Sequence, residues 1–312
     1  MMPKKIAFGE NAAKEFNYPK NSLIITTTTH DIYSKWLEYM GITNYDIYDK
    51  VTPDPAIEAV EAIKKEYEGK NISAYIGLGG GSSMDVCKYL GKLTGIPKIL
   101  IPTTFGTGAE MTTYAVISFE HRKKLLQDEA FLADAAIVDP YFLPGTPFNI
   151  MRNSACDAAS QASEGYDSKL ANPLTKLFCR EAFDILEDAI VNDKPNLLPY
   201  GAMLSGIGFG NSSTTLGHAL SYVFSNEGVP HGYALSSCTT VAHKFNRSIY
   251  YERFKRICQK LKFEPLKLKQ PLDQAADVII PDRGHLDNNP IPVTKQHIIK
   301  VLSEIVNGNP WE

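Results

Sequence analysis

Three residues in the second half of the chain are of types that bind divalent metal ions. Asp157 lies in a stretch with helical spacing, and His218 and His231 follow further along the chain. A carboxylate with two imidazoles is a common ligand set for a catalytic ion, because it keeps coordination positions open for water or substrate. Taken alone, each residue is better explained as a core histidine or a solvated helix carboxylate, and spacing cannot bring Asp157 to His218.

Further candidate ligands are few. Gln161 stands four residues after Asp157, so the two side chains would project from one face of a helix. The five cysteines include no CxxC pair, which argues against a thiolate zinc cluster and a disulfide framework. The seven histidines are His30, His121, His218, His231, His243, His285 and His297.

A glycine-rich run in the first half suits a phosphate group. Residues 79–83 read Gly-Gly-Gly-Ser-Ser; they follow a predicted strand and open a predicted helix, with Ser82 and Asp85 spaced like a capping box. Glycines let the backbone N–H groups approach an anion at a helix N-terminus. The run matches neither the P-loop pattern nor a GxGxxG at the first βα turn, and a tight turn that binds nothing is the alternative.

A second stretch of small residues and hydroxyls, residues 102–112, also follows a predicted strand. Its threonines and free N–H groups could bind a ribose or a nicotinamide. Alone, it is equally well explained as a surface loop.

Two kinds of pattern divide the chain. Up to about residue 140, β-prone runs at 22–26, 72–78, 98–102 and 136–138 alternate with helical spacing at 56–67 and 84–93. This alternation predicts βαβ units with a parallel sheet. The second half predicts helices alone, at 151–167, 173–190, 197–224, 231–245, 249–262 and 294–306.

Composition narrows the classes of partner. The chain has 312 residues and a net charge of −3, so it carries no global positive field for a nucleic acid or an anionic membrane. No apolar run approaches the ~18 residues of a membrane span. We therefore expect a soluble, cytoplasmic protein with a small-molecule partner. A basic stretch at 244–269 is better explained as a solvated helix face than as a nucleic-acid site.

In this order, the segments resemble the iron-containing alcohol dehydrogenase family, including its glycerol dehydrogenase branch. The resemblance rests on an ordered set of motifs over most of the chain: Leu23-Ile24-Ile25-Thr26, Pro53-Asp54-Pro55, Gly79-Gly80-Gly81-Ser82 with Asp85, Pro102-Thr103-Thr104 through Thr112, Ala136-Ile137-Val138-Asp139-Pro140, Asp157 with Glu164 and Tyr166, Ala171-Asn172-Pro173, His218, Pro230-His231-Gly232 and Asn289-Pro290. It implies a Rossmann-like α/β dinucleotide-binding domain over 1–145 and an all-α metal- and substrate-binding domain over 146–312.

The resemblance also implies roles for individual residues. It makes Asp157, His218 and His231 ligands of a divalent metal, iron or zinc, with Gln161 as a further candidate. It assigns contacts with NAD or NADP to residues of the two small-residue stretches: Gly80, Gly81, Ser82, Thr103, Thr104 and Thr107. It implies a small alcohol or aldehyde as substrate, and a homodimer.

Three positions depart from the family pattern. Gln161 stands where many members have a histidine, so the protein would supply three ligands, as in the glycerol dehydrogenase branch. Tyr222 stands where a histidine near the substrate is frequent, so the proton would pass through Tyr222 or water. Thr27 stands where NAD-preferring members have an aspartate. Without that carboxylate, nothing at this position repels the 2′-phosphate of NADP, so we predict that NADP is accepted and preferred.

Two functions from different classes follow. The first is an NAD(P)-dependent alcohol dehydrogenase or aldehyde reductase, in which the metal polarises the carbonyl and the nicotinamide exchanges hydride with it. The second is a catalytically impaired binding protein on the same fold, suggested by Gln161 and by a helical half shorter than is usual in the family.

Overall fold

The computed structural model describes residues 1–120 and 122–311, so His121 lies outside the described residues. The chain divides into two compact units, Met1–Thr146 and Pro147–Glu312. The first unit combines helices with a parallel sheet, and the second contains helices alone among its described residues. This confirms the predicted fold class.

The first unit is built on six parallel strands in the order β1-β8-β5-β4-β2-β3. Strands β6 and β7 form a separate antiparallel hairpin. The strand bounds are β1 Lys5–Phe8, β2 Ser22–Ile25, β3 Tyr45–Tyr48, β4 Ala74–Gly79, β5 Lys98–Pro102, β6 Tyr114–Phe119, β7 Arg122–Gln127 and β8 Ala135–Val138. The helices are α1 His30–Met40, α2 Ile57–Glu66 and α3 Gly81–Thr94.

Strand burial explains why these sequences form a parallel sheet. Strands β2, β4, β5 and β8 are buried along their whole length, as expected for strands covered on both faces. Helix α3 lies close to the sheet, since a Cβ on Gly77 of β4 would come within 3.0 Å of the Cys87 side chain. Helix α3 therefore packs directly against β4, the strand that precedes it in the chain.

The second unit packs nine helices among its described residues. Their bounds are α4 Phe148–Asp167, α5 Pro173–Val191, α6 Leu198–Phe209, α7 Leu216–Ser225, α8 His231–Asn246, α9 Tyr251–Lys260, α10 Leu272–Ile279, α11 Arg283–Leu286 and α12 Lys295–Asn307. One apolar core joins α7 and α8 to α10 and α12. None of the helices in residues 1–120 and 122–311 combines the length and apolar character needed to cross a membrane.

The prediction of one helix over 197–224 was wrong. The chain leaves helical conformation between Phe209 and Leu216, and Ser213 has φ 64°. The glycines of α6 are explained by close packing: a Cβ on Gly208 would lie 2.5 Å from the sulfur of Cys179. Because of this break, α7 begins as a separate helix at Leu216, two residues before His218.

Candidate functional site

The buried face of α4 carries a polar stripe. Asp157, Gln161 and Glu164 follow one another at helical spacing and are 5%, 5% and 1% exposed. Their neighbours on this helix are mainly alanine, cysteine and serine, which are also buried. Three buried polar side chains in line need partners from other helices, because an unpaired buried polar group is costly.

Helices α7 and α8 supply partners for Asp157 and Glu164. His218 lies in the first turn of α7, and His231 is the first residue of α8. The start of α8 lies tightly against α4, since a Cβ on Gly232 would fall 2.0 Å from the carbonyl oxygen of Asn153. Only glycine permits this approach, which brings His231 towards Asp157.

The three predicted ligands come together. The Nε2 atoms of His218 and His231 lie 3.8 and 3.9 Å from Oδ1 of Asp157. One ligand atom from each residue lies within 4.8 Å of the others. Donors about 2.0–2.2 Å from one ion can be at most ~4.4 Å apart, so the distances to Asp157 fit two imidazoles and a carboxylate around a single divalent metal ion.

Glu164 orients His218. One carboxylate oxygen, Oε2, pairs with Nδ1 of the imidazole, which leaves Nε2 directed towards Asp157. The other oxygen accepts hydrogen bonds from Oγ1 of Thr215, at 2.6 Å, and from the N–H of Gly217, at 2.7 Å. Such a carboxylate behind a histidine fixes its tautomer and its ring orientation. The sequence analysis assigned Glu164 no role, although the stripe on α4 is a signal that could have found it.

The pKa shifts of this pair follow from their contact. Burial alone would raise the pKa of Glu164 and lower that of His218. Their mutual attraction, helped by Asp157 beside His218 and by the hydrogen bond from Thr215 to Glu164, overcomes both effects. The pKa of Glu164 therefore falls to about 2 and that of His218 rises to about 9.

Gln161 contacts Asp157 directly. Its Nε2 donates a hydrogen bond to Oδ1 of Asp157 at 2.9 Å. The amide therefore holds the carboxylate oxygen that faces the two histidines.

Tyr222 borders the cluster. Its ring centroid lies 6.3 Å from that of His231 and 5.8 Å from that of His285. Burial raises the pKa of the Tyr222 phenol, and the nearby carboxylates of Asp282, Asp157 and Glu164 raise it further. The hydroxyl is therefore a proton donor rather than a base in these surroundings.

In the first unit, the cofactor candidates follow three neighbouring strands of the sheet. Thr27 comes after β2, Gly80–Ser82 after β4 and Thr103–Thr107 after β5. The strand order changes direction between β2 and β4. Strand β3 lies beside β2 on one side of this point, and β5 lies beside β4 on the other side. Ligands of open parallel sheets bind at the carboxyl ends of the strands at such a reversal.

The loops at this edge pack closely. A Cβ on Gly80 would lie 3.0 Å from Oγ1 of Thr104, and one on Gly81 would lie 3.3 Å from Cγ2 of Thr107. Helix α3 begins at Gly81, and no side chain caps its first turn. Its N–H groups therefore remain available to an anion, as a pyrophosphate requires.

The predicted capping box of Ser82 and Asp85 was wrong. The N-cap is Gly80, so both residues lie inside α3. Asp85 instead accepts a hydrogen bond from the N–H of Val116 in β6 at 3.0 Å, which ties the hairpin to the helix.

The basic stretch at 244–269 is partly neutralised by acidic partners. Arg253 pairs with Asp184 at 2.7 Å and with Glu187, and Arg256 pairs with Glu187 at 2.9 Å. Lys244 pairs with Glu304, and Lys260 with Asp193. Four of the nine basic residues of the stretch are thus paired with carboxylates.

Both parts of the chain match known families. Residues 3–140 match the family model for iron-containing alcohol dehydrogenase, and residues 152–279 match the C-terminal model of the Fe-containing alcohol dehydrogenase family. The chain belongs to the iron-containing alcohol dehydrogenase family. This membership confirms the resemblance and the prediction of an oxidoreductase of the alcohol dehydrogenase type, and no comparison favours the binding-protein alternative.

Individual members of this family resemble the chain over most of its length. The 4-hydroxybutyrate dehydrogenase of Clostridium kluyveri is 29% identical over 74% of this chain and 70% of its own. The NAD-dependent methanol dehydrogenase of Bacillus methanolicus is 28% identical over 83% and 79%. A crystal structure of sulfoacetaldehyde reductase from Bifidobacterium kashiwanohense, in complex with NAD+, shares the fold with a TM-score of 0.88, at 20% identity and over 99% and 98% of the two chains.

Proposed function

We propose that the chain is a metal-dependent oxidoreductase that moves hydride between NAD(P)(H) and a small alcohol or aldehyde. The observation that carries this proposal is the cluster of Asp157, His218 and His231, with ligand atoms within 4.8 Å of one another. The family membership supports the same reaction class. The relatives named above act on small alcohols or aldehydes, which supports a substrate of this size.

These three residues would hold one divalent ion, iron or zinc. When bound, the ion supplies Lewis acidity, which polarises a carbonyl and stabilises the matching alkoxide. The chain's own contribution is to fix the ligands before binding. Glu164 holds the ring of His218, and Gln161 holds the carboxylate of Asp157. We propose that the protein supplies three ligands and that Gln161 acts through Asp157.

The nicotinamide dinucleotide would bind at the carboxyl edge of the sheet. Gly80, Gly81 and Ser82 would receive the pyrophosphate at the start of α3, and the three threonines after β5 would line the rest of the cofactor: Thr103, Thr104 and Thr107. The close packing of Gly80 against Thr104 and of Gly81 against Thr107 supports this assignment. When bound, the nicotinamide supplies the hydride or accepts it.

We propose that NADP(H) is accepted and preferred over NAD(H). Thr27 is exposed directly after β2, and its Oγ1 lies 3.8 Å from the position that a Cβ on Gly79 would take. A neutral hydroxyl there can donate to a 2′-phosphate, whereas a carboxylate would repel it. His30, also exposed, adds a further donor at the start of α1.

We propose that Tyr222 or a water molecule passes the proton that accompanies hydride transfer. The raised pKa keeps the phenol protonated, so Tyr222 would have a proton to give to a developing alkoxide, which is the direction of aldehyde reduction. A homodimer remains part of this proposal, and a cytoplasmic location stays a prediction from the sequence.

The test is a nicotinamide absorbance assay with purified protein, after loading with Fe²⁺ or Zn²⁺, on a panel of short aldehydes with NADPH and NADH. The proposal expects turnover with at least one metal and loss of turnover after chelation. A metal-loaded protein that oxidises neither cofactor with any aldehyde would contradict it.

A further inference from the structure

Ser221 contacts both histidines of the ligand cluster. It lies on α7, three residues after His218, and its side chain is fully buried. Oγ of Ser221 is 2.7 Å from the carbonyl oxygen of His218 and 3.3 Å from Nδ1 of His231, the first residue of α8. One hydroxyl therefore joins the helix that carries one imidazole to the ring of the other.

The two contacts give the hydroxyl a defined direction. Oγ carries one hydrogen atom, and a carbonyl oxygen can only accept, so Ser221 donates to the carbonyl of His218. Such a bond to the preceding turn is common for serine in a helix. Oγ therefore presents a lone pair to Nδ1 of His231, and this contact is a hydrogen bond when Nδ1 carries the proton. In the neutral ring, Nε2 then keeps its lone pair.

The unprotonated nitrogen of His231 faces the other ligands. Nε2 lies 3.9 Å from Oδ1 of Asp157. The side chain of His231 is 38% exposed, whereas that of His218 is 8% exposed and is also held by Glu164. A ring with this much solvent around it has more orientations open to it than a buried ring. A hydrogen bond on Nδ1 therefore matters most at His231.

We propose that Ser221 is a positioning residue of the metal centre, which accepts the Nδ1 proton of His231 and so directs Nε2 at the ion. This inference rests on the proposed function, in which Asp157, His218 and His231 hold a divalent ion. Ser221 acts through His231 and is not itself a ligand. One turn of α7 thus supplies His218 directly and orients His231 through Ser221, so both imidazoles are placed before the ion binds.

The experiment compares Ser221→Thr with Ser221→Val, two variants of the same shape that differ in a hydroxyl against a methyl group. Both add one methyl group at a buried position, so the two share any packing cost. A threonine in a helix can place Oγ1 on a carbonyl of the preceding turn, as Ser221 does. In competition for Zn²⁺ with a chromophoric chelator, we expect the metal Kd of Ser221→Val to be about three- to tenfold above that of Ser221→Thr, the factor of one neutral hydrogen bond.

A spectroscopic measurement tests the hydrogen bond itself. In zinc-loaded protein labelled with ¹⁵N-histidine, NMR reports how fast the Nδ1 proton of each ligand exchanges with water. A hydrogen-bonded proton exchanges more slowly, so we expect slower exchange at His231 in the wild type and Ser221→Thr than in Ser221→Val. The Nδ1 proton of His218 is held by Glu164 and serves as the internal reference, which should not change.

Ser236→Val is the matched control. Ser236 is equally buried, on α8, and its hydroxyl likewise donates to a carbonyl three residues earlier, that of Tyr233, at 2.7 Å. This variant should lose melting temperature but keep the metal Kd within about twofold of wild type.

Distinct results would overturn the proposal. Equal Kd values or equal exchange rates at His231 in Ser221→Thr and Ser221→Val would do so, as would a loss of affinity in Ser236→Val as large as in Ser221→Val. If the larger side chains prevent folding, Ser221→Ala replaces them, and a Kd equal to that of the wild type would then decide against the proposal. A wild type that binds no Zn²⁺ would instead contradict the proposed function itself.

Discussion

Glu164 offers a direct way to perturb the candidate metal centre without touching a ligand. It is 1% exposed, and both of its oxygens are used, one by His218 and the other by Thr215 and Gly217. Glu164→Gln keeps the size of the side chain but replaces one acceptor oxygen with an NH2 group. Either orientation of the amide leaves some of these contacts mismatched.

The size of the effect follows from which contact is lost. If the NH2 group faces His218, Nδ1 becomes an acceptor and the ring proton moves to Nε2, the atom that faces Asp157. A protonated Nε2 cannot bind a metal. Replacement of such an orienting partner typically costs 10–100-fold in metal affinity, or about 1.4–2.8 kcal/mol. If the NH2 group instead faces Thr215 and Gly217, the start of α7 loses its acceptor, and we expect a lower melting temperature as well.

The assay is competition for Zn²⁺ with a chromophoric chelator, together with a thermal melt of the metal-free protein. Glu304→Gln is the matched control, because that carboxylate pairs with Lys244 away from the ligand cluster. We expect the metal Kd to rise at least tenfold in Glu164→Gln and to stay within twofold in the control. A Kd for Glu164→Gln within twofold of wild type would refute the assignment of Glu164 as the partner that orients a ligand.

Three further predictions concern other parts of the chain. Gln161→His places an imidazole one turn from Asp157, so metal affinity should be kept or increased in the same competition assay; a weaker affinity would count against Gln161 lying beside the ion. Thr27→Asp should lower the ratio of kcat/KM for NADPH over NADH by about tenfold or more, and a ratio that does not move would show that Thr27 does not select the cofactor. Glu110 is 3% exposed, and burial raises its pKa to about 7 against the opposing effects of its own backbone N–H and Lys88. The unfolded chain releases this proton near its ordinary pKa of 4.5 while the folded chain retains it, so stability falls as the pH rises from about 4.5 to 7. The melting temperature of the wild type should therefore fall relative to that of Glu110→Gln over this interval, and a constant difference would argue that Glu110 is ionised throughout.

The fold was predictable where the local pattern carried the information. The strand at 98–102 has the bounds predicted for it, because a continuous apolar run after a glycine signals a buried strand. The weak strands β1 and β3 were missed, since they are short and only partly buried. The helix break after Phe209 was also missed, because small residues such as Gly210 and Ser213 fit either a tightly packed helix or a turn.

The candidate site was predictable only in its residue types. His218 and Asp157 are separated by 61 positions, and local spacing cannot state that two such residues meet; the resemblance to a family supplied that expectation. The stripe of Asp157, Gln161 and Glu164 was readable as a buried polar face. The contact of Ser221 with His231 was not, because the two residues lie on different helices and only the fold brings the hydroxyl to the ring nitrogen.

Metal stoichiometry of the purified ligand variants tests the central claim most directly. The wild type, His218→Ala and His231→Ala are loaded with Zn²⁺ or Fe²⁺, desalted and analysed for metal per chain by atomic absorption, with His297→Ala as control. The account predicts about one ion per chain in the wild type and the control, and loss of both bound metal and turnover in the other two variants, because one carboxylate and one imidazole hold an ion too weakly. Full metal content in either His218→Ala or His231→Ala would contradict it.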